Sequence, residues 1–248
     1  MDFFTREELE RYDRQVKLSG FGIEKQAKLK QSAALVVGVG GLGSLALYYL
    51  AAAGVGRILL VDKERVELSN LNRQIIHWTK DVGRPKVESA AEKLRELNPD
   101  VKVEPLHAPA SGEVLEELVK EVDVVVDCLD NYSTRFLLNE VCLRHGKPLV
   151  HGAVYGMEGR ATTIIPGRTP CLRCIIPKNP PEQKGFPVLG PAVGVIASVE
   201  ALEAIKLLTG VGELLAGRLL VFDGESMSFE IVQVRRNPNC PACGKLAP

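Results

Sequence analysis

The run from Ser32 to Gly56 constrains this chain more than any other feature: 25 consecutive residues carry no charge. That is long enough to cross a bilayer as a helix. Its centre, however, reads Gly38-Val39-Gly40-Gly41-Leu42-Gly43, and each glycine inside a helix is unfavourable by roughly 1 kcal/mol. The run therefore divides into a buried strand over Ala33–Val37, a tight glycine turn, and a helix over Ser44–Ala53 that stops at Gly54. No membrane span is expected.

The same alternation continues downstream. Strands are expected at Arg57–Asp62, Val101–Leu106, Val122–Cys128 and Pro148–His151, and helices at Lys86–Leu97, Glu113–Lys120 and Tyr132–Arg144. This succession predicts an α/β fold with a doubly wound, Rossmann-like, mostly parallel sheet. After Gly152 the rhythm changes. Gly159–Ile165, Arg218–Phe222 and Phe229–Val234 read as an antiparallel C-terminal extension, with one helix at Val193–Leu208. Residues 175–192 hold Pro177, Pro180, Pro181, Pro187 and Pro191, which predicts a long mobile loop. The chain reads as a single domain over 1–248: a helical arm at 1–30, a nucleotide-binding half at 31–152, and a second half at 153–248.

Charge excludes some functions. Lys and Arg total 31, as do Asp and Glu, and the isoelectric point is near 6.9. That balance argues against broad nucleic-acid binding or a polybasic membrane anchor. The six cysteines are too sparse for a disulfide scaffold, and the chain opens MDFFTREELERYDR without a signal-peptide pattern. A cytoplasmic, reducing setting follows, in which paired cysteines read first as metal ligands.

Gly38, Gly40, Gly41 and Gly43 have the G-x-G-x-x-G spacing between strand and helix, where backbone N–H groups can approach a phosphate. Asp62 closes the next strand, 19 residues after Gly43, positioned to accept from ribose hydroxyls. An NAD-dependent dehydrogenase is the natural competitor, but the residues that follow disfavour it. Asn70 and Arg73 in Ser69–Gln74, and Lys86 in Gly83–Lys86, bring amide and cationic groups to the phosphate side. Asp130-Asn131 closes the Val122–Cys128 strand at the ligand edge, where a carboxylate can hold Mg²⁺ against phosphate oxygens. Hydride transfer needs no such set; attack at phosphorus does.

These strings together, GVGGLGS, SNLNRQ, GRPK, DNYSTR (Asp130–Arg135) and RYDRQ (Arg11–Gln15), resemble the E1-like activating family of the MoeB, ThiF and HesA type, nearest its molybdopterin-synthase-activating branch. The resemblance covers essentially the whole chain. It implies an adenylyltransferase that uses ATP and Mg²⁺ to join AMP to the C-terminal carboxylate of a ubiquitin-like sulfur carrier of MoaD/ThiS type ending in Gly-Gly. By the same resemblance Asp62 holds the ribose, Asn70, Arg73 and Lys86 contact the phosphates, and Asp130 binds Mg²⁺. Arg14 reaches into the site of the other subunit of a homodimer, and the 153–248 half receives the carrier. A tRNA-modifying dehydratase of the same fold is the related alternative. Molybdopterin, thiamin, amino-acid and tRNA-thiolation pathways all fit these residues.

Cys171, Cys174, Cys240 and Cys243 form two C-x₂-C pairs separated by 65 residues, a set suited to structural, tetrahedral Zn²⁺ that pins the tail to the Pro-rich loop. Cys128 and Cys142 read as small buried hydrophobes. Ile175–Val193 contains no cysteine, unlike relatives that pass the activated carrier to a loop cysteine. Adenylation alone, with a separate sulfur donor and no rhodanese domain after the second pair, is therefore expected. The histidines read as surface or satisfied-core residues, with His151 alone near the ligand edge. Arg135 either contacts the carrier tail or buttresses its loop. Gly152–Gly159, with Tyr155 and Met157, is expected to line the groove for that tail.

Overall fold

The apolar run Ala33–Val37 is a strand (β1) with every side chain buried, and the molecule is layered on both of its faces. The computed structural model describes residues 3–181 and 185–246. β1 is followed by α4 (Gly41–Ala53), β2 (Arg57–Asp62), α5 (Lys86–Leu97), β3 (Lys102–His107), α6 (Gly112–Lys120), β4 (Val124–Asp127), α7 (Tyr132–Arg144) and β5 (Leu149–Tyr155). Then come β6 (Glu158–Ile164), α8 (Leu172–Ile175), α9 (Gly190–Thr209), β7 (Arg218–Asp223) and β8 (Ser228–Gln233). One eight-stranded sheet runs β3-β2-β1-β4-β5-β6-β7-β8. The first five strands are parallel and the last three antiparallel, as the sequence predicts.

The two-residue strand period sorts the core. Ala34, Val36, Ile58 and Leu60 pack with α4, α5 and α9, whereas Leu35, Val37, Leu59 and Val61 pack with α6, α7 and the cysteine pairs. Both faces are covered, so these strands tolerate no polar alternation. Strand order reverses between β1 and β4, each continuing outward to the other side. The crevice beyond their carboxyl ends is where an open sheet of this kind takes a ligand.

The helical arm comprises α1 (Arg6–Arg11), α2 (Asp13–Val16) and α3 (Gly22–Gln31). It is tied to the body: buried Glu8 holds Lys30 at 2.6 Å, and the buried Tyr12 hydroxyl accepts from Asn98 at 2.9 Å. Among the described residues, no helix is long and apolar enough to cross a membrane.

The Pro-rich loop is shorter and better anchored than expected. α9 starts at Gly190, with Pro191 in its first turn; proline loses nothing there, because that N–H has no helical acceptor. The approach to it is paired to the β5–β6 turn, Gly156 N–H donating to Pro187 O at 2.8 Å and Leu189 N–H to Gly156 O at 3.0 Å. Residues 182–184 of the loop lie outside the described residues.

Candidate nucleotide cleft and cysteine cluster

At the switch point lies a cleft of about 510 Å³. Its floor is the glycine turn. Gly38 has φ +96°, and a Cβ there would lie 2.6 Å from the Cys128 carbonyl oxygen. A Cβ on Gly43 would lie 2.1 Å from Gly38 O, so both positions need glycine on steric grounds. Gly38, Gly40 and Gly41 line the cleft, but Gly43 does not. Its lack of a side chain lets α4 close onto its own turn.

Asp62 is tied to the same turn. Its carboxylate accepts from Val39 N–H at 2.8 Å and from Glu64 N–H at 2.7 Å, and burial raises its pKa above the usual carboxylate value. From the other side, His77 Nε2 meets Val39 O at 2.9 Å while Nδ1 meets Ser89 Oγ at 2.9 Å. A carbonyl can only accept, so the proton sits on Nε2. Burial brings the His77 pKa down to about 4. His77 is thus the satisfied core histidine that was expected, and it braces the turn.

The phosphate-side residues converge. Asn70 lies in a 3₁₀ turn (Leu68–Asn70) and its Oδ1 accepts from Glu67 N–H at 3.0 Å. Arg73 donates to Ser69 O at 3.0 Å, which points its guanidinium along the cleft edge. Lys86 begins α5 with its side chain 2% exposed, and its ammonium pairs with Glu64 at 2.6 Å. Across the cleft, Asp130 is exposed at the end of β4, beside Asn131, whose Oδ1 caps α7 by accepting from Thr134 N–H at 3.0 Å. Asn131 therefore lines the cleft while its Oδ1 serves the helix. Cations on one wall and a carboxylate on the other suit a polyanion with a divalent metal.

Some expected residues lie elsewhere. Arg14 is exposed on α2 and does not line the cleft of its own chain. His151 does not reach the cleft either; its Nδ1 is 2.6 Å from Asp127 Oδ2, both groups buried. Arg135 does line the cleft, and it also buttresses the loop, since Nη2 donates to Leu129 O and, at 2.9 Å, to Gly152 O. Val154 and Phe186 line the cleft, and Phe186 stacks on the exposed Tyr155 at 6.1 Å between centroids. Gln74 and Glu64 carried no role on sequence. Gln74 Oε1 is buried beside the cleft without a partner, and only its place in SNLNRQ hinted at this. Glu64 neutralises Lys86.

Away from the cleft, Cys171, Cys174, Cys240 and Cys243 bring their sulfurs within 4.8 Å of one another. Two separations, Cys171–Cys240 at 3.7 Å and Cys174–Cys243 at 3.4 Å, far exceed the ~2.05 Å of a disulfide. They match the ~3.8 Å edge of a tetrahedron with ~2.3 Å metal–sulfur bonds. Asn237 N–H also points at Cys174 Sγ, at 3.4 Å. The four can bind one metal ion. Cys128 and Cys142 are buried with thiol pKa values pushed up by burial, the condition of inert packing residues.

Comparison with known proteins adds family context. A model of the ThiF family matches residues 12–242. The chain is 49% identical over 243 residues to the SAMP-activating enzyme E1 of Haloferax volcanii, across 96% of this chain and 90% of that one. It is 44% identical over 253 residues to the sulfur carrier protein adenylyltransferase of Thermus thermophilus, across 97% and 93%. Among solved structures, E. coli MccB with MccA-N7isoASN matches with a TM-score of 0.86 over 98% of this chain and 76% of that one. At 22% identity this is a likeness of fold.

Proposed function

The chain belongs to the ThiF family, and on that premise we propose that it is an ATP-dependent adenylyltransferase acting on a ubiquitin-like sulfur carrier that ends in Gly-Gly. The names of the relatives from H. volcanii and T. thermophilus support this reading. The observation that carries it is the convergence of Arg73, Lys86 and Asp130 on one cleft above a glycine turn.

In this reading the carrier carboxylate oxygen attacks the α-phosphorus. A carboxyl O–P bond forms, the bond to the bridging oxygen breaks, and pyrophosphate leaves with that electron pair. The carboxylate is already a nucleophile, so no general base is needed; alignment and charge neutralisation are the catalytic tasks. Lys86 and Arg73 neutralise the phosphates, and ATP replaces Glu64 as the counter-ion of Lys86. Asp62 keeps its hold on the turn and receives the ribose at its remaining lone pairs. Asp130 would hold Mg²⁺, which supplies charge neutralisation between phosphate oxygens. The four cysteines would hold Zn²⁺ as a closed structural site. Arg14 belongs, in this reading, to the cleft of a second copy in a homodimer. The loop lacks a cysteine, so the acyl-adenylate passes to a separate sulfur donor, in the cytoplasm.

Carrier-dependent ATP–pyrophosphate exchange tests the proposal. Lys86→Ala and Asp130→Ala should each lower exchange by about a hundredfold or more, as expected for lost transition-state charge stabilisation, with unchanged circular dichroism. Undiminished exchange in both variants would refute it.

A further inference from the structure

At the back of the cleft four buried ionisable side chains meet, of which Arg135 also lines the cleft itself. Asp127 ends β4, His151 faces it on β5, Arg135 comes from α7, and Glu200 comes from α9. Their exposures are 0%, 3%, 5% and 0%. Glu200 is the unusual member. Its carboxyl oxygens have no side-chain partner, and the backbone N–H of Gly152 beside them is the donor that favours the charged form. The carboxyl occupies the space a Cβ on Gly152 would take, its Cδ only 2.3 Å from that position. Among the described residues, the charges acting on Glu200 are Asp127 on β4 and Arg135 on α7. The Cys128 thiol and the Asp127-bonded imidazole of His151 complete the cluster.

Charge balance decides the state of this group. Arg135 and Asp127, at 3.7 Å, already compensate one another. The His151 imidazole is buried, which lowers its pKa and leaves it neutral. An ionised Glu200 would add an unpaired buried charge, which proteins avoid by keeping the proton; burial accordingly raises its pKa well above the carboxylate range. Arg135 gives the cluster its reach. It joins Leu129 O to Gly152 O, and Leu129 precedes Asp130. Its Nε makes no hydrogen bond and faces Asp127 at 3.7 Å, a contact too long to fix the guanidinium against a new anion.

We propose that Glu200 is a positioning residue that works as an uncharged carboxylic acid, filling the Gly152 site and leaving Arg135 to hold the Asp130 loop against β5. Loss of its proton draws the guanidinium toward α9 and releases Leu129 and Asp130, so the cleft loses its metal-side carboxylate at alkaline pH.

The decisive comparison is wild type against Glu200→Gln, which preserves shape and removes the titration, with Glu200→Ala as a cavity control. The exchange reaction rests on the adenylation reading. There, wild-type kcat/KM should fall about tenfold per pH unit above a single midpoint, while E200Q matches wild type within about twofold below that midpoint and lacks that limb. Two measurements are independent of the reaction. The melting temperature of wild type should drop relative to E200Q as pH rises from acid to alkaline. At one alkaline pH, amide hydrogen exchange over residues 128–135 should be faster in wild type than in E200Q. Failure of exchange with every carrier would remove the adenylation reading, and these two measurements would still decide the role of Glu200. Parallel pH curves for the two proteins, or an E200Q that is less stable and less active at neutral pH, would overturn it.

Discussion

Single residues here often serve the backbone before any ligand. Asp62 and His77 grip Val39 from two sides, and that grip fixes the glycine turn with no ligand bound. The His77 pKa of about 4 has a stability consequence. A histidine whose folded pKa lies below its unfolded value of ~6.5 is neutral in the fold, so its contribution is full above pH ~6.5. It is lost as pH falls toward 4, by about 3 kcal/mol over that window. Urea unfolding midpoints measured from pH 7 to 4.5 should show the fall, and His77→Gln should flatten it. Gly43→Ala places a Cβ on Gly38 O and should destabilise by about 1–3 kcal/mol, read by the same denaturation. Glu64→Gln removes the carboxylate paired with Lys86; if ATP replaces that carboxylate, as proposed, calorimetry at low salt should show nucleotide binding tightened severalfold. Weaker binding would make Glu64 a contact rather than a competitor.

At the scale of elements, residue spacing carried far. Ala33–Val37, Arg57–Asp62, Lys86–Leu97 and Tyr132–Arg144 are read with their observed bounds, because burial on both faces or a clean helical period leaves few alternatives. Most other ends shifted by a residue or two, α4 starts three residues early at Gly41, and β5 runs to Tyr155 rather than His151. That extension depends on pairing with β6, which no local pattern announces. α9 was started late because Pro191 reads as a breaker when its place in the first turn is unknown. The C-x₂-C pairs were legible as a set, since four thiolates in a reducing setting have few other uses. Their assembly joins the α8 segment to the C-terminal tail. Metal analysis should find one zinc per chain. Cys240→Ser with Cys243→Ser, or strong chelation, should lower the melting temperature without changing ATP affinity, since none of the four lines the cleft.

The whole molecule sets what can meet. Arg14 is exposed and away from its own cleft, and its proposed place in the cleft of a second copy is tested by mixed variants. Arg14→Ala and Lys86→Ala proteins, each inactive alone, should regain about a quarter of the wild-type exchange when mixed and reassorted, because half the dimers then hold one intact site. No recovery would place Arg14 outside the reaction. Sequence alone determined the fold class, the glycine turn, the cationic and acidic residues of the cleft and the four-cysteine set. All of these are written in local spacing or in residue types with narrow chemistry. Only the tertiary structure decided that Gly43 packs against its own turn, that Arg135 buttresses its loop, and that His151 turns to Asp127. It also decided that Glu200, one more glutamate on an apolar helix, sits in a sealed pocket. The reason is that a side chain's charge state and partner depend on what distant segments bring beside it. In this chain those segments are joined by sheet order and by packing between faces, which short spacings along the chain do not encode.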